Sequence, residues 1–108
     1  MGRIARKIES KMELEKIINN IKQIGKNISI KTNGVEGYLF GSILTKQHNA
    51  NDVDVLIVYC NEEQINIIKQ EFKFLESIIP LHMNYFTYNE ETELNFISEV
   101  MAERIFKI

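Results

Sequence analysis

The sequence predicts an α+β fold in which helices flank one small mixed β-sheet, and three observations support that prediction. Apolar residues recur at helical spacing over residues 9–24. The segment from Asp52 to Tyr59 is an almost continuous apolar run, which is typical of a strand covered on both faces. The predicted elements follow the order helix, strand, short helix, strand, helix, strand, helix, and this order favours a single sheet with helices packed on it.

The first helix is predicted over residues 9–24, where Lys, Glu and Asn separate the apolar positions. These apolar positions are Leu14, Ile17, Ile18, Ile21 and Ile24. Residues 27–34 fit two structures, a short hairpin or the frayed end of this helix. Ile28-Ser29-Ile30 alternates like a strand, and Asn33-Gly34 is a strong turn signal.

The middle of the chain is predicted to form two strands around a short helix. The first strand runs from Val35 to Phe40 and enters Gly41. The short helix runs from Ser42 to about Lys46, and a polar loop follows over residues 47–51. The second strand is the apolar run from Asp52 to Tyr59.

The remainder is predicted as helix, strand and helix. Asn61 is placed to cap the first of these helices. The apolar face of that helix is Ile65, Ile68, Phe72 and Leu75. A third strand runs from Leu81 to Tyr88, after Pro80, and Asn89 is then predicted to cap a last helix with an acidic first turn. The buried stripe of the last helix is Leu94, Ile97, Val100, Met101 and Ile105.

The composition indicates one soluble domain over residues 1–108. Hydrophobic residues make up 44% and charged residues 26%, which is ordinary for a globular protein. No apolar run reaches the roughly 18 residues of a membrane span, and the first residues are not followed by a signal-peptide core. A cytoplasmic protein without membrane contact is therefore expected.

The net charge of −2 gives no general reason to expect nucleic-acid binding. Charge is unevenly distributed, since residues 3–26 carry seven Lys or Arg and three Glu, whereas residues 62–108 carry four Lys or Arg and nine Glu. This pattern fits solvated helix faces, contacts between copies of the chain, or a charged partner. Solvated faces are the favoured interpretation, and a nucleic-acid-binding module is the least favoured function.

Two aspartates at the start of the second predicted strand are candidate metal ligands. Asp52 and Asp54 are two residues apart, so the alternation of strand side chains puts both on the same side. Neighbouring carboxylates repel each other, and a bound Mg²⁺ removes that cost while using both as oxygen ligands. Two carboxylates are enough for one such ion when a nucleotide supplies further oxygens.

The Gly-Ser turn at the end of the first strand is a candidate phosphate site. Gly41 lets the backbone approach a ligand closely. Ser42 begins a helix whose free N–H groups and dipole attract anions, and its hydroxyl can donate to a phosphate oxygen. Lys46 lies one turn further on, where it could reach the same phosphates.

The segment Phe40-Gly41-Ser42, followed by Asp52-Val53-Asp54-Val55-Leu56-Ile57, resembles the signature of the DNA polymerase beta-like nucleotidyltransferase superfamily. The short chain is similar to the minimal nucleotidyltransferases of that superfamily, which are often paired with a helical HEPN protein in toxin–antitoxin systems. The resemblance covers residues 35–60 and extends more weakly through residues 81–108. It implies a nucleotidyltransferase fold.

The resemblance also implies a reaction and the residues that perform it. Gly41 and Ser42 would hold the triphosphate of ATP or another NTP, and the catalytic carboxylates Asp52 and Asp54 would bind two Mg²⁺ ions, or Mn²⁺. An acceptor hydroxyl would attack the α-phosphorus, taking up AMP or another nucleoside monophosphate and releasing pyrophosphate. In the minimal proteins the acceptor can be a tyrosine of the partner toxin. A HEPN-like helical protein, or a second copy of the chain, is the expected partner.

The sequence departs from the superfamily pattern at a third acid on the later strand. Residues 81–86 contain no acid, and His82 and Asn84 occupy the plausible positions. Asn84 could offer its carbonyl oxygen to a metal. His82 could be a metal ligand or a base, but a histidine near the start of a buried strand is more often hydrogen-bonded and structural. Arginines that often follow the Gly-Ser turn in relatives are also missing, which leaves Lys46 as the cation on the phosphate side.

The missing acid leaves two functions open. That acid would normally help to activate the attacking hydroxyl. The chain is therefore either an active metal-dependent nucleotidyltransferase or a degenerate nucleotidyltransferase domain that binds a partner, such as a HEPN toxin, without turnover.

Overall fold

The computed structural model describes residues 11–45 and 52–108, which contain five helices and four strands. The helices are α1 (Lys11–Ser29), α2 (Ser42–Thr45), α3 (Glu63–Ile78), α4 (Tyr88–Leu94) and α5 (Phe96–Val100). The strands are β1 (Glu36–Phe40), β2 (Val53–Tyr59), β3 (Leu81–Thr87) and β4 (Glu103–Lys107). None of these described helices combines the length and apolar character that a membrane-spanning helix needs.

The four strands form one mixed sheet in the order β3-β2-β1-β4. β1 is antiparallel to both β2 and β4, whereas β2 and β3 are parallel and are joined by α3. The predicted α+β fold with a small mixed sheet is therefore confirmed. β2 lies in the interior of the sheet, so its side chains are covered on both faces, and β3 lies at one edge.

The larger core lies between one face of the sheet and helices α1 and α3. Alternate side chains of β2 enter it, together with the apolar stripes of both helices. Its fully buried members include Ile21, Ile28, Leu39, Val53, Val55, Ile57, Ile68 and Phe72. Burying a side chain of this size contributes about 1.5–3 kcal/mol, so this core anchors β2 firmly.

A smaller core covers the opposite face of the sheet. Tyr38 of β1 and Leu56 and Val58 of β2 are buried there. Phe96 of α5 closes it by meeting the rings of Phe40 and Phe86 edge-on, each with centroids 5.1 Å apart. The end of β1 is therefore held in place directly before Gly41.

Residues 27–29 belong to the end of α1, so the hairpin alternative for this segment is wrong. Ile28 is completely buried and continues the helical spacing of Ile21 and Ile24. Only the turn signal at Gly34 is retained, with a positive φ of 78°. Burial of one more apolar side chain thus extends the helix beyond its predicted end.

Asn61 does not cap α3, and that prediction is wrong. The capping position is Glu62, which makes no side-chain capping bond. Gln64, from the first turn, reaches back instead, and its carboxamide oxygen accepts hydrogen bonds from the backbone N–H groups of Cys60 (2.7 Å) and Asn61 (3.2 Å). The Gln64 amide therefore binds N–H groups that precede the helix, whereas an asparagine cap would bind those of its first turn.

Asn89 is also not a cap, because α4 begins earlier than predicted. Thr87 caps it, accepting a bond from the backbone N–H of Glu90 at 3.1 Å. The Glu90 carboxylate in turn accepts from the backbone N–H of Thr87 at 2.8 Å. This reciprocal capping box leads directly from β3 into the helix.

The predicted last helix is wrong as a single element, because the chain forms α4, α5 and the strand β4 there. Asn95 and Met101 adopt left-handed conformations with φ of 53° and 55°, and each ends a helix. Leu94 and Met101 are 56% and 80% exposed, so the predicted buried stripe does not form. β4 instead pairs with β1.

Phe106 fixes β4 against the rest of the protein. Its ring lies over Gly25 and Gly37, where an added Cβ would come within 2.6 Å and 2.3 Å of ring carbons. The ring is buried in the larger core. The two glycines therefore provide the space that lets the last strand join the sheet.

Glu36 is a buried carboxylate that accepts hydrogen bonds from two tyrosines. The hydroxyls of Tyr38 and Tyr88 both donate to it, the latter at 3.0 Å. Burial, followed by the contact with Glu36, raises the pKa of Tyr38 to about 12 and raises that of Tyr88. Burial likewise raises the pKa of Tyr59, and that of Tyr85 to about 12.

We expect the free energy of unfolding to fall as pH rises from about 10, the ordinary phenol pKa, to about 12. The folded chain keeps protons on phenols that the unfolded chain releases, so rising pH favours the unfolded state. Urea unfolding across this range, with tyrosinate absorbance of the folded protein, measures the effect. Tyr88→Phe removes one such phenol, so the free energy of unfolding should fall less steeply with pH in this variant. Tyrosines that titrate near pH 10 in the folded protein would contradict the expectation.

Candidate functional site

Asp54 faces the Gly-Ser turn across the β1–β2 pair. Phe40, the last residue of β1, pairs with Asp54 on β2. Gly41 follows with a φ of 84°, a conformation that residues with a side chain rarely adopt. A Cβ on Gly41 would lie 2.4 Å from Oδ2 of Asp54. The carboxylate therefore lies directly against the glycine, in space that any other residue would occupy.

Ser42 begins the four-residue helix α2 directly after this turn. The helix is anchored by Ile43, which is completely buried in the larger core, and the backbone N–H of Leu44 donates to the carbonyl oxygen of Gly41 at 3.1 Å. Ser42 remains half-buried beside the turn. Lys46, the predicted phosphate-side cation, and the polar loop at 47–51 lie outside the described residues.

Asp52 lies one residue before β2 and is exposed. The backbone N–H of the next residue, Val53, donates to the carbonyl oxygen of Pro80 at 2.8 Å, so the starts of β2 and β3 are tied together. The alternation of side chains along β2 fixes the face of the sheet on which Asp54 lies. It says nothing about Asp52, because β2 begins at Val53. The shared orientation of the two aspartates stays a prediction.

His82 lies beside Asp54 on the neighbouring strand. The two residues are in register in the parallel β2–β3 pair, and Nδ1 of His82 is 3.0 Å from Oδ1 of Asp54. The expectation that His82 lies on a buried strand is wrong, because β3 is an edge strand and the His82 side chain is 65% exposed. It is hydrogen-bonded, as expected, but its partner is a candidate metal ligand.

The contact between His82 and Asp54 was not predicted from the sequence. The positions of the two residues in their strands could have revealed it, because Asp54 and His82 are each the second residue of a strand. In a parallel pair whose starts coincide, second residues become neighbours. Asp54 is thus held between two elements, with Oδ2 towards Gly41 and Oδ1 towards the imidazole.

Asn84 is used to join the two parallel strands. Its side-chain nitrogen donates to the carbonyl oxygens of Val55 at 3.2 Å and of His82 at 3.3 Å. A carboxylate in the same conformation would face two carbonyl oxygens and be repelled. The amide therefore supports the backbone of the Asp54–His82 pair.

The residues at this site fit a divalent cation whose coordination shell is completed by ligands from elsewhere. Within residues 11–45 and 52–108, no three His, Cys, Asp or Glu side chains converge as a ready metal site. Asp54 and His82 do offer one oxygen and one nitrogen at adjoining positions. Mg²⁺ and similar ions commonly take their remaining ligands from substrate phosphates and water. The adjoining Gly41-Ser42 turn is where such phosphates are predicted to lie.

Comparison with known proteins identifies the family of this domain. Residues 14–107 match the family described as Nucleotidyltransferase domain. A search of curated proteins found no match. The matched region contains the Gly-Ser turn, both aspartates and all four strands. Domains of this family generally use a nucleoside triphosphate and a divalent metal. The chain therefore belongs to the nucleotidyltransferase domain family, within the DNA polymerase beta-like superfamily.

Proposed function

We propose that the chain transfers AMP from ATP to a hydroxyl on an acceptor, in a reaction that depends on Mg²⁺ or Mn²⁺. The observation that carries this proposal is the position of Asp54, whose carboxylate lies against Gly41 in a domain of this family. A cation held by that carboxylate would be next to phosphates held at the turn.

The chain's own residues would bind and orient the nucleotide. The N–H groups at the start of α2 and the Ser42 hydroxyl donate to phosphate oxygens, and Gly41 leaves room for close approach. Asp54, with Asp52 at the same end of β2, holds the cation. When bound, the cation offsets the negative charge of the triphosphate and polarises the α-phosphate. The acceptor oxygen then bonds to the α-phosphorus as the bond to pyrophosphate breaks and the hydroxyl proton is released.

The acceptor is proposed to be a hydroxyl of a helical partner protein of the HEPN type. The residues that the structure describes form a single sheet with two cores, without a further module that could bind an acceptor. Acceptor recognition would therefore come largely from another polypeptide.

A second candidate function is supported by the residues on β3. His82 and Asn84 occupy the plausible positions of the superfamily's third acid, and Asn84 donates to two backbone carbonyl oxygens. A domain without that acid could bind its partner, and the nucleotide, without turnover.

ATP labelled at the α-phosphate separates the two candidates. We expect label to pass to a candidate partner in the presence of Mg²⁺ or Mn²⁺, with stoichiometric release of pyrophosphate and loss of transfer in Asp52→Ala. A stable complex between chain and partner that never becomes labelled with either ion would favour the second candidate. The exposed position of Asp52 makes a folding defect in the variant unexpected.

A further inference from the structure

The contact between Asp54 and His82 indicates which ion the site prefers. This inference rests on the proposed function, which leaves the choice between Mg²⁺ and a transition-metal ion open. The contact is part of the fold, because the residues are in register on paired strands. Hydrogen bonds also hold the backbone before and after the contact. The backbone N–H of Val53 donates to the carbonyl oxygen of Pro80, and the Asn84 amide donates to the carbonyl oxygens of Val55 and His82.

The spacing of the two donor atoms suits neighbouring ligands of one ion. Oδ1 of Asp54 and Nδ1 of His82 are 3.0 Å apart. Two ligands bound at right angles, each about 2.1 Å from the ion, are separated by about 3.0 Å. An ion at that distance from both atoms would lie about 1.5 Å off the line that joins them, so the imidazole must turn by roughly 45° to aim Nδ1 at the ion. The exposed position of the His82 side chain leaves room for that turn.

The His82 side chain is also accessible enough for this role. It is 65% exposed, and Asp54 is 21% exposed. An ion could therefore enter from solvent with water on its outer side. The nucleotide would approach from the Gly41 side of Asp54, where Oδ2 points.

We infer that His82 is a ligand of the catalytic cation and shifts the preference of the site from Mg²⁺ towards first-row transition ions. Mg²⁺ strongly prefers oxygen ligands, whereas an imidazole nitrogen suits ions such as Co²⁺ and Zn²⁺. An imidazole at this position keeps a cation site but gives it a different selectivity from a carboxylate. A chain without an acid in residues 81–86 can then still bind a cation.

The experiment measures dissociation constants for Mg²⁺, Mn²⁺ and Co²⁺ by calorimetry, using the full chain with a non-hydrolysable ATP analogue. In the wild type, Co²⁺ should bind more tightly than Mn²⁺, and Mn²⁺ more tightly than Mg²⁺. His82→Ala should weaken Co²⁺ binding by about tenfold or more, while Mg²⁺ binding changes by less than about threefold. His82→Asp is the matched variant, and it should strengthen Mg²⁺ binding relative to Co²⁺ by restoring a carboxylate.

Two outcomes would overturn the inference. One is a ratio of Co²⁺ to Mg²⁺ affinity that is the same in the wild type and both variants. The other is a wild-type chain that binds none of the three ions with the nucleotide analogue present. Thermal unfolding of each variant checks the fold, and the exposure of His82 predicts little change.

Failure of the proposed function would look different. In that case the ions would bind with the expected ratios, but no label would pass from ATP to an acceptor with any of them. Conversely, label transfer could occur while the ratio of Co²⁺ to Mg²⁺ affinity is the same in the wild type and both variants. That result would refute the role of His82 but not the proposed function.

Discussion

Asp54→Asn is expected to lower nucleotidyl transfer by at least about 100-fold, which corresponds to a loss of about 2.7 kcal/mol of transition-state stabilisation or more. Asp54 lies against the Gly-Ser turn and also contacts His82. An amide is a much weaker cation ligand than a carboxylate. The amide oxygen can still accept a hydrogen bond from the imidazole, and the side-chain volume is unchanged. The free energy of unfolding should therefore change by no more than about 1 kcal/mol.

The rate of labelled product formation and the urea unfolding curve are measured on the same preparations. Glu93→Gln is the matched control, because it removes one exposed carboxylate from α4. It should leave both quantities unchanged. Transfer by Asp54→Asn at more than about a tenth of the wild-type rate would show that this carboxylate is not a principal metal ligand.

Much of the fold follows from local patterns in the sequence. The apolar stripes of α1 and α3 and the apolar run of β2 each depend on residues within one element. Where the prediction failed, distant residues decided the structure. Residues 103–107 fit the helical stripe as well as a strand, and what selects the strand is pairing with β1 and the Phe106 ring over Gly25 and Gly37.

The capping errors have a related cause. An asparagine before an acidic turn is a good cap in isolation. At α3 the capping position is Glu62, and the buried Gln64 binds the backbone N–H of Asn61 instead. At α4 the threonine at the end of β3 offers a capping box two residues earlier. Each competing group lies within a few residues, so propensity alone does not choose between them.

The sequence predicts the part of the candidate site whose residues lie close together in the chain. The Gly-Ser turn and the aspartates lie on either side of one strand pairing, and the apolar run of β2 marks where that strand starts. The neighbour of Asp54 on the other side depends on the register between β2 and β3, which are separated by α3. Asp54 and His82 are 28 residues apart, so neither strand segment alone specifies this register.

Gly41→Ala is expected to weaken nucleotide-dependent metal binding and to lower nucleotidyl transfer by about 100-fold or more. Its Cβ would lie 2.4 Å from Oδ2 of Asp54, so the carboxylate must turn away or the turn must open. The φ of 84° adds a backbone cost of about 1–2 kcal/mol for any residue with a Cβ. Because Asp54 is partly exposed, its side chain can move, and the steric conflict should affect the site more than the stability.

Gly34→Ala separates these two costs. Gly34 has a similar φ of 78°, and its added Cβ would meet only the Sγ of Cys60, at 2.8 Å. Cys60 is exposed and follows the far end of β2 from Asp54, so its thiol can rotate away. Both variants should lose about 1–2 kcal/mol of unfolding free energy, but only Gly41→Ala should lose transfer by about 100-fold or more. If the two variants keep equal activity, close contact between the glycine and Asp54 is not required for function. If both variants lose transfer activity, backbone strain and not the geometry of the site explains the defect.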